Sequence, residues 1–259
     1  MSKTALITGA SSGIGEQFAL IHAAKKGDLV LVARSIDKLK DMKRELEYAH
    51  GIKVFVIEKD LSKQGAGKEV YNIVKNEGIT VDYLINNAGF GGLGKFHERK
   101  WEDDLNMINL NIIALTELTR FFLPDMVKIN SGRVLNVSST ASLMPGPLQA
   151  VYFATKAYVT SFSNAIYEEL SETSVTVTAL LPGATNTGFG ETSGMDKTPL
   201  FDNTFPPEEV AQTGYQGMLS GELNVKAGLS FSQKIMMASL PLTPTKILLK
   251  QVKKMQSTK

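Results

Sequence analysis

The chain contains no cysteine, one tryptophan and three histidines among its 259 residues. Without thiols there is no disulfide, no thiolate nucleophile and no cysteine-held metal, and the fold has to rest on its core alone. His22, His50 and His97 are far apart and accompany no carboxylate pattern. A metal centre needs several convergent ligands, so no metal is expected and packing or surface roles are. Net charge is also scarce: 28 basic against 26 acidic residues give a formal +2, without an extended block of one sign. Nucleic-acid binding therefore has no support. No apolar run approaches the ~20 residues that span a bilayer. The start, Met-Ser-Lys-Thr-Ala-Leu-Ile-Thr-Gly, enters an apolar stretch with no charged leader ahead of a long hydrophobic segment. These absences set the expectation of a cytoplasmic protein.

What is present is ordinary for a globular chain, with 43% hydrophobic and 21% charged residues. Short apolar runs at residues 4–8, 29–33, 54–57, 81–85, 133–137 and 175–181 read as strands buried on both faces. Between them, helical spacing is found at 13–26, 37–49, 69–76, 101–128 (as two helices), 152–172 and 207–219. Such alternation indicates βαβ units. The expected fold is α/β: one Rossmann-like domain over residues 1–259, a doubly wound parallel sheet of about seven strands with helices on both faces. From 183 to 206 the pattern breaks into Gly, Thr, Ser, Asn and Pro, and a loop this long is read as a substrate lid. Residues 228–259 read as a C-terminal helical extension.

The segment Thr8-Gly9-Ala10-Ser11-Ser12-Gly13-Ile14-Gly15 lies between the first strand and the first helix. There Gly9 permits the tight turn, Gly13 lets the backbone approach a pyrophosphate and Gly15 lets the helix pack on the sheet. A phosphate would meet free N–H groups and the positive end of the helix dipole. A glycine triplet alone is weak, but its place after a strand and before an amphipathic helix makes it specific. An acidic residue at the end of the second strand would bond ribose hydroxyls and repel a 2′-phosphate. Ala33 and Arg34 stand there instead, and Arg34 offers a planar, charged fork suited to phosphate. The expected cofactor is NADP(H), with NAD(H) second because Asp37 lies close by.

Further along come Asp60-Leu61, Asn86-Asn87-Ala88-Gly89, Asn111, Asn136-Val137-Ser138-Ser139, Tyr152-Phe153-Ala154-Thr155-Lys156 and Pro182-Gly183. With the glycine loop, in this order and spacing, the chain resembles the short-chain dehydrogenases/reductases of the TGxxxGxG and YxxxK type. The likeness runs from Thr4 to about Thr187 and weakens beyond. Read from the residues themselves, Tyr152 and Lys156 are one helical turn apart and share a face. A phenol titrates near ~10, and a neighbouring ammonium favours the phenolate, so Lys156 is expected to acidify Tyr152.

The resemblance implies more. Lys156 would also bond the nicotinamide ribose. Ser139, thirteen residues before Tyr152, would donate to the substrate oxygen as charge develops there, with Ser138 as runner-up. Asn111 would hold a water in a proton relay through the lysine; a competing reading has it cap a break between two helix segments, and the two roles are compatible. Asn87, Ala88 and Gly89 would line the cofactor groove and steady the sheet. Asp60 would bond the adenine, Leu61 would supply a backbone contact, and Thr185 or Thr187, after Pro182-Gly183, would reach the carboxamide. Catalysis would then fall to Asn111, Ser139, Tyr152 and Lys156, and cofactor binding to Gly9, Ser11, Ser12, Gly13, Ile14, Gly15, Arg34 and the residues just named.

The implied activity is hydride transfer between NADP(H) and a small-molecule ketone or secondary alcohol. Phe189, Met195, Leu200, Phe201 and Phe205 make the lid apolar. A cofactor-binding regulatory protein with little turnover is the alternative; a purely structural protein does not account for the glycine loop. Family members form dimers or tetramers through helices matching 101–128 and 152–172 here, so a homo-oligomer is implied. Met236 and Met237 read as core or interface filler. The stretch 245–259 sets Leu248, Val252 and Met255 against Lys246, Lys250, Lys253 and Lys254. It could lie on an anionic membrane, but a terminal helix packed on this subunit or a neighbour is expected, and with it no membrane contact.

Overall fold

A computed structural model describes residues 2–257. Strands β1 (Thr4–Thr8), β2 (Asp28–Ala33), β3 (Val54–Glu58), β4 (Tyr83–Asn86), β5 (Gly132–Val137), β6 (Val175–Pro182) and β7 (Asn224–Ala227) form one parallel sheet in the order 3-2-1-4-5-6-7. The chain runs outward from β1 to β3, then returns to β4 on the other side of β1. That reversal opens a crevice at the carboxyl ends of the strands, the place where such sheets bind ligands.

The apolar runs form central strands because both their faces are covered. Over one face lie α1 (Gly13–Ala24), α2 (Ile36–His50) and α8 (Pro207–Ser220), with Phe18, Leu39, Val210 and Tyr215 packed on Ile7, Leu31 and Leu180. Over the other lie α3 (Ala66–Asn76), α5 (Leu115–Lys128) and α6 (Ala150–Glu169), with Val70, Leu118, Phe122 and Ile166 on Leu6, Val30 and Val134. His22 belongs to the first layer: its ring bonds the Tyr215 hydroxyl at 2.7 Å and the Lys3 carbonyl at 2.9 Å. His97 is exposed beside Glu98.

Several boundaries differ from those read in the sequence. β4 starts at Tyr83, not at residue 81, because the Asp82 carboxylate accepts the Thr4 N–H and fixes where β1 and β4 begin to pair. α3 starts at Ala66, three residues earlier than expected. Gly65 makes the left-handed turn into it, and Glu117 accepts the N–H of Gly67, which satisfies a first-turn donor. Between α4 (Trp101–Ile108) and α5 the chain does not break; a π-helical stretch, Asn109–Ala114, joins them. The 183–206 segment is not all irregular. It holds a short helix α7 (Phe189–Ser193) and two 3-10 turns, Met195–Lys197 and Pro199–Phe201. After β7 come α9 (Phe231–Ser239), a 3-10 turn (Leu240–Leu242) and α10 (Thr245–Gln256). Residues 258 and 259 of the expected C-terminal extension lie outside the described residues.

Candidate active site

The loop after β1 is shaped by contacts that admit no side chain. Gly9 has φ +64° and Gly13 φ +60°, values that favour glycine. A Cβ on Gly15 would stand 2.3 Å from the Gly9 carbonyl oxygen and 2.5 Å from the Asn87 amide nitrogen. The close helix–sheet approach expected of Gly15 is therefore made against Gly9 and Asn87. Gly13 faces Thr187, whose side chain a Cβ would meet at 3.0 Å. The loop is locked to the end of β4: the Thr8 hydroxyl accepts the N–H groups of Asn87 and Ala88, and the Asn87 amide donates to Thr8 and Gly9 carbonyls at 2.9 and 3.3 Å. The sheet itself is tied by Asn86, whose amide donates to Thr119 and to Asn136, and Asn136 donates on to Ser163.

From this loop a cavity of about 650 Å³ runs to the C-terminal helix. One end is polar, with Ser11, Ser12, Gly13, Arg34, Ser35 and Ser62 on its wall. Arg34 is exposed there. The Asp60 carboxylate accepts the N–H and hydroxyl of Ser62; although burial alone would raise its pKa, these bonds, with Lys63 and Arg34, hold it below the usual carboxylate range. Leu61 sits beside it on the same wall. The start of α1 borders this end through Ser11, Ser12, Gly13 and Ile14, and no side chain caps its first-turn N–H groups. Small residues where a Cβ would collide, a helix N-terminus and an arginine with hydroxyls make a cradle that fits a dinucleotide phosphate.

The middle of the cavity gathers the other motif residues. Tyr152 and Lys156 are both buried on the inner face of α6, 8% and 5% exposed. The Lys156 ammonium donates to the Val137 carbonyl at 2.8 Å and lies 5.9 Å from the centre of the Tyr152 ring. The acidified phenol expected from the sequence is not what this geometry gives. Burial pushes Tyr152 up to about 12, with the Ser139 hydrogen bond pulling only partly the other way. Burial also lowers Lys156 to about 8. Spacing on a helix brings the two groups together, but loss of water acts on each more strongly than they act on one another.

The two serines separate cleanly. Ser138 Oγ is committed to α6, donating to the Lys156 carbonyl at 2.9 Å and bonding Thr160 at 2.7 Å. Ser139 lines the cavity beside Tyr152; its hydroxyl accepts the Ala141 N–H at 3.1 Å. Asn111 is buried in the π-helical stretch. Its amide donates to the Phe90 carbonyl and to Thr155, and its oxygen accepts the Phe90 N–H. Capping is thus not its role, because the helix runs straight through it. A Cβ on Gly89 would lie 3.1 Å from Asn111 and 3.4 Å from Lys156, which places that turn against both. Pro182 ends β6, and it and the following Gly183 line the cavity wall. Thr185 Oγ1 donates to the Gly183 carbonyl at 3.0 Å, and Thr187 Oγ1 accepts the Phe189 N–H at 3.3 Å.

The far end is apolar, and part of its wall was not foreseen. Phe153, Phe189, Met195 and Phe201 face Met237, Val252 and Met255. Val252 and Leu248 of α10 pack with Tyr152, Phe153 and Met107 in one cluster. Hence α10 packs on its own subunit, and Met236 and Met237 border a cavity and do not merely fill a core. Gln149 and Gln256, both nearly fully buried, meet there: the Gln149 amide donates to Gln256 at 3.3 Å and to the Met195 sulfur, while its oxygen has no partner. Neither glutamine sits in a recognisable motif. No cluster of His, Cys, Asp or Glu able to hold a metal occurs among the described residues. None of the described helices is long and apolar enough to cross a membrane.

Comparison with known proteins converges on one group. The sequence pattern described as short chain dehydrogenase matches residues 3–198. The very-long-chain 3-oxoacyl-CoA reductase of Rattus norvegicus is 32% identical over 190 residues; the match takes in 70% of this chain and 59% of that protein. The chain thus spans well under two thirds of that relative's length. The NADP-dependent 3-hydroxy acid dehydrogenase of Schizosaccharomyces pombe is 31% identical, with 81% of this chain and 84% of that protein covered. Among solved structures, a short-chain dehydrogenase from Sphingobium yanoikuyae in complex with NADPH superposes with a TM-score of 0.80 at 32% identity, covering 86% of this chain and 87% of that one.

Proposed function

Because the chain belongs to the short-chain dehydrogenase family, we propose that it is an oxidoreductase acting on a bulky, apolar ketone or secondary alcohol, with NADP(H) supplying or accepting the hydride. The polar end of the cavity holds the cofactor: the glycine loop and the α1 N-terminus take the pyrophosphate, Arg34 takes the 2′-phosphate, and Asp60, Leu61, Asn87, Ala88 and Gly89 line the groove. Pro182, Gly183, Thr185 and Thr187 close over its nicotinamide half. The similarity to the NADP-dependent 3-hydroxy acid dehydrogenase of Schizosaccharomyces pombe and to the Sphingobium yanoikuyae dehydrogenase in complex with NADPH supports this choice.

The observation that carries the reading is Tyr152 and Ser139 side by side on the wall of a cavity whose two ends differ in chemistry. At neutral pH a phenol held near 12 keeps its proton, so Tyr152 enters carbonyl reduction as the general acid. It donates to the substrate oxygen while the Ser139 hydroxyl donates to the same atom and stabilises the charge that forms. Lys156, held near 8, stands at the edge of losing its own proton and returns one toward the phenol. Asn111 fixes the turn at Phe90 and Gly89 against Lys156. In alcohol oxidation the same groups act in reverse. Part of the segment 183–206 and the helices after residue 228 form the substrate wall, where Phe189, Met195, Phe201, Met236 and Met237 select an apolar partner; Phe205, expected in the lid, packs on the core instead.

The test mixes protein, NADPH and a panel of ketones while absorbance of the reduced ring is followed. Turnover is expected with bulky apolar ketones. Tyr152→Phe should retain the NADPH-induced thermal shift and lose nearly all turnover. Wild-type rates in that variant would overturn the assignment, and a thermal shift without turnover for any substrate would favour a cofactor sensor.

A further inference from the structure

Every charged residue after Glu222 is a lysine, and no Asp or Glu occurs from there to the end of the chain. This stretch alone more than accounts for the protein's formal charge of +2. It builds β7, α9 and α10, and its outer surface adds apolar side chains to that one-signed charge. Phe231, Ile235, Leu242 and Ile247 are 80%, 57%, 87% and 51% exposed. Phe231 and Ile235 are four residues apart on α9 and share a face. Leu242 sits in the turn between the helices, and Ile247 in the first turn of α10. On α10, Leu248, Val252 and Gln256 face inward, whereas Lys246, Lys250 and Lys254 recur at four-residue spacing on the exposed side next to Ile247.

Exposed apolar side chains on successive segments, with lysines among them, mark a candidate interaction surface. The sign of the charge selects the occupant. Lysines with no carboxylate among them along the chain are attracted to anionic headgroups, while neighbouring apolar side chains enter the boundary with the acyl chains. A second copy meeting through the same patch about a two-fold axis would bring two positively charged surfaces together. The inner sides of the same two helices, through Met237, Val252 and Met255, wall the apolar end of the cavity.

We propose that the outer face of α9 and α10 docks on an anionic lipid surface, with Phe231, Ile235, Leu242 and Ile247 entering the interface and the lysines holding the headgroups. The helices that enclose the substrate end of the cavity then rest directly on the bilayer. This goes against the sequence-based expectation of no membrane contact, and the exposed side chains of α9 and the following turn are what change the reading.

Full-length protein is sedimented with phosphatidylcholine vesicles, with and without phosphatidylglycerol, at low and moderate salt. The expected result is co-sedimentation that needs phosphatidylglycerol and weakens with salt. Lys250→Gln with Lys254→Gln should reduce partitioning about 30-fold, the equivalent of two lysines at about 1 kcal/mol each. Phe231→Ser with Leu242→Ser should reduce it to a similar extent. Both double variants should keep the wild-type NADPH thermal shift, which shows that they are folded. Absence of binding to the anionic vesicles, or binding unchanged in both folded variants, would overturn the proposal. So would sedimentation velocity showing a wild-type dimer that becomes monomeric in Phe231→Ser with Leu242→Ser, since the patch would then belong to a second copy.

Discussion

Replacing Lys156 by methionine should make the protein more stable at neutral pH while removing its chemistry. In the folded chain Lys156 titrates near 8 against an ordinary 10.5, because burial penalises the charged form. Holding the ammonium there at pH 7 costs about 3 kcal/mol, at 1.36 kcal/mol per pKa unit. Methionine has similar length and carries no charge, but it leaves the Val137 carbonyl without its 2.8 Å donor, a loss of about 1 kcal/mol. The variant should therefore be about 2 kcal/mol more stable at pH 7. The sign of the pH dependence follows from the lowered value. Between about 8 and 10.5 the native lysine binds fewer protons than the unfolded one, so wild-type stability rises through that window relative to the variant. By pH 10 the penalty has fallen to about 1 kcal/mol and the two proteins should be equally stable. Tyr152, held near 12, stays neutral throughout and does not disturb the comparison. Urea unfolding of both proteins without nucleotide at pH 7 and pH 10 measures the double difference. A variant less stable at pH 7, with a gap that does not move with pH, would refute the view that Lys156 is held as a desolvated ammonium.

Two further outcomes are expected. Arg34→Asp should raise the KM for NADPH about 10- to 100-fold over that for NADH, the range of a lost hydrogen bond between charged groups; steady-state kinetics with both nucleotides decides it, and an unchanged preference would remove Arg34 from the 2′-phosphate site. Gly15→Ala should destabilise the fold by about 1–3 kcal/mol as an overpacked contact, because its Cβ meets backbone at Gly9 and the amide of Asn87 that steadies the loop; thermal unfolding checks the loss, and the NADPH thermal shift should shrink with it.

The central strands were legible because parallel strands covered on both faces are mostly apolar, as 29–33 is throughout and 133–137 is except for Arg133 and Asn136. The edge strand β7 was not, since only Val225 and Ala227 of its four residues turn inward. The early start of α3 was hidden because Gly65 and Gly67 read as loop, and the Glu117 carboxylate that caps the turn lies far along the chain. At the site, motif spacing singled out Tyr152, Lys156 and Ser139, and the structure gathers them on one wall. Spacing could not say what burial does to a phenol and an ammonium together, so the expected acidification fails. Nor could it show α10 as part of the pocket, because Val252 meets Tyr152 and Phe153 only after a hundred residues of intervening fold. Gln149 and Gln256 follow no pattern at all; only their burial against each other marks them.

The contribution of α10 to the pocket bears on how selectivity diversifies in such proteins. On the proposed reading the nucleotide would be held within residues 3–198, which carry the family pattern, whereas α9 and α10 would supply much of the substrate enclosure through Met237, Val252 and Met255. Exchanging residues 228–257 would then be expected to alter which molecules are accepted while leaving Ser139, Tyr152, Lys156 and the glycine loop in place. Chimeras that swap only the segment after β7 are the natural route to engineering new preferences on this scaffold.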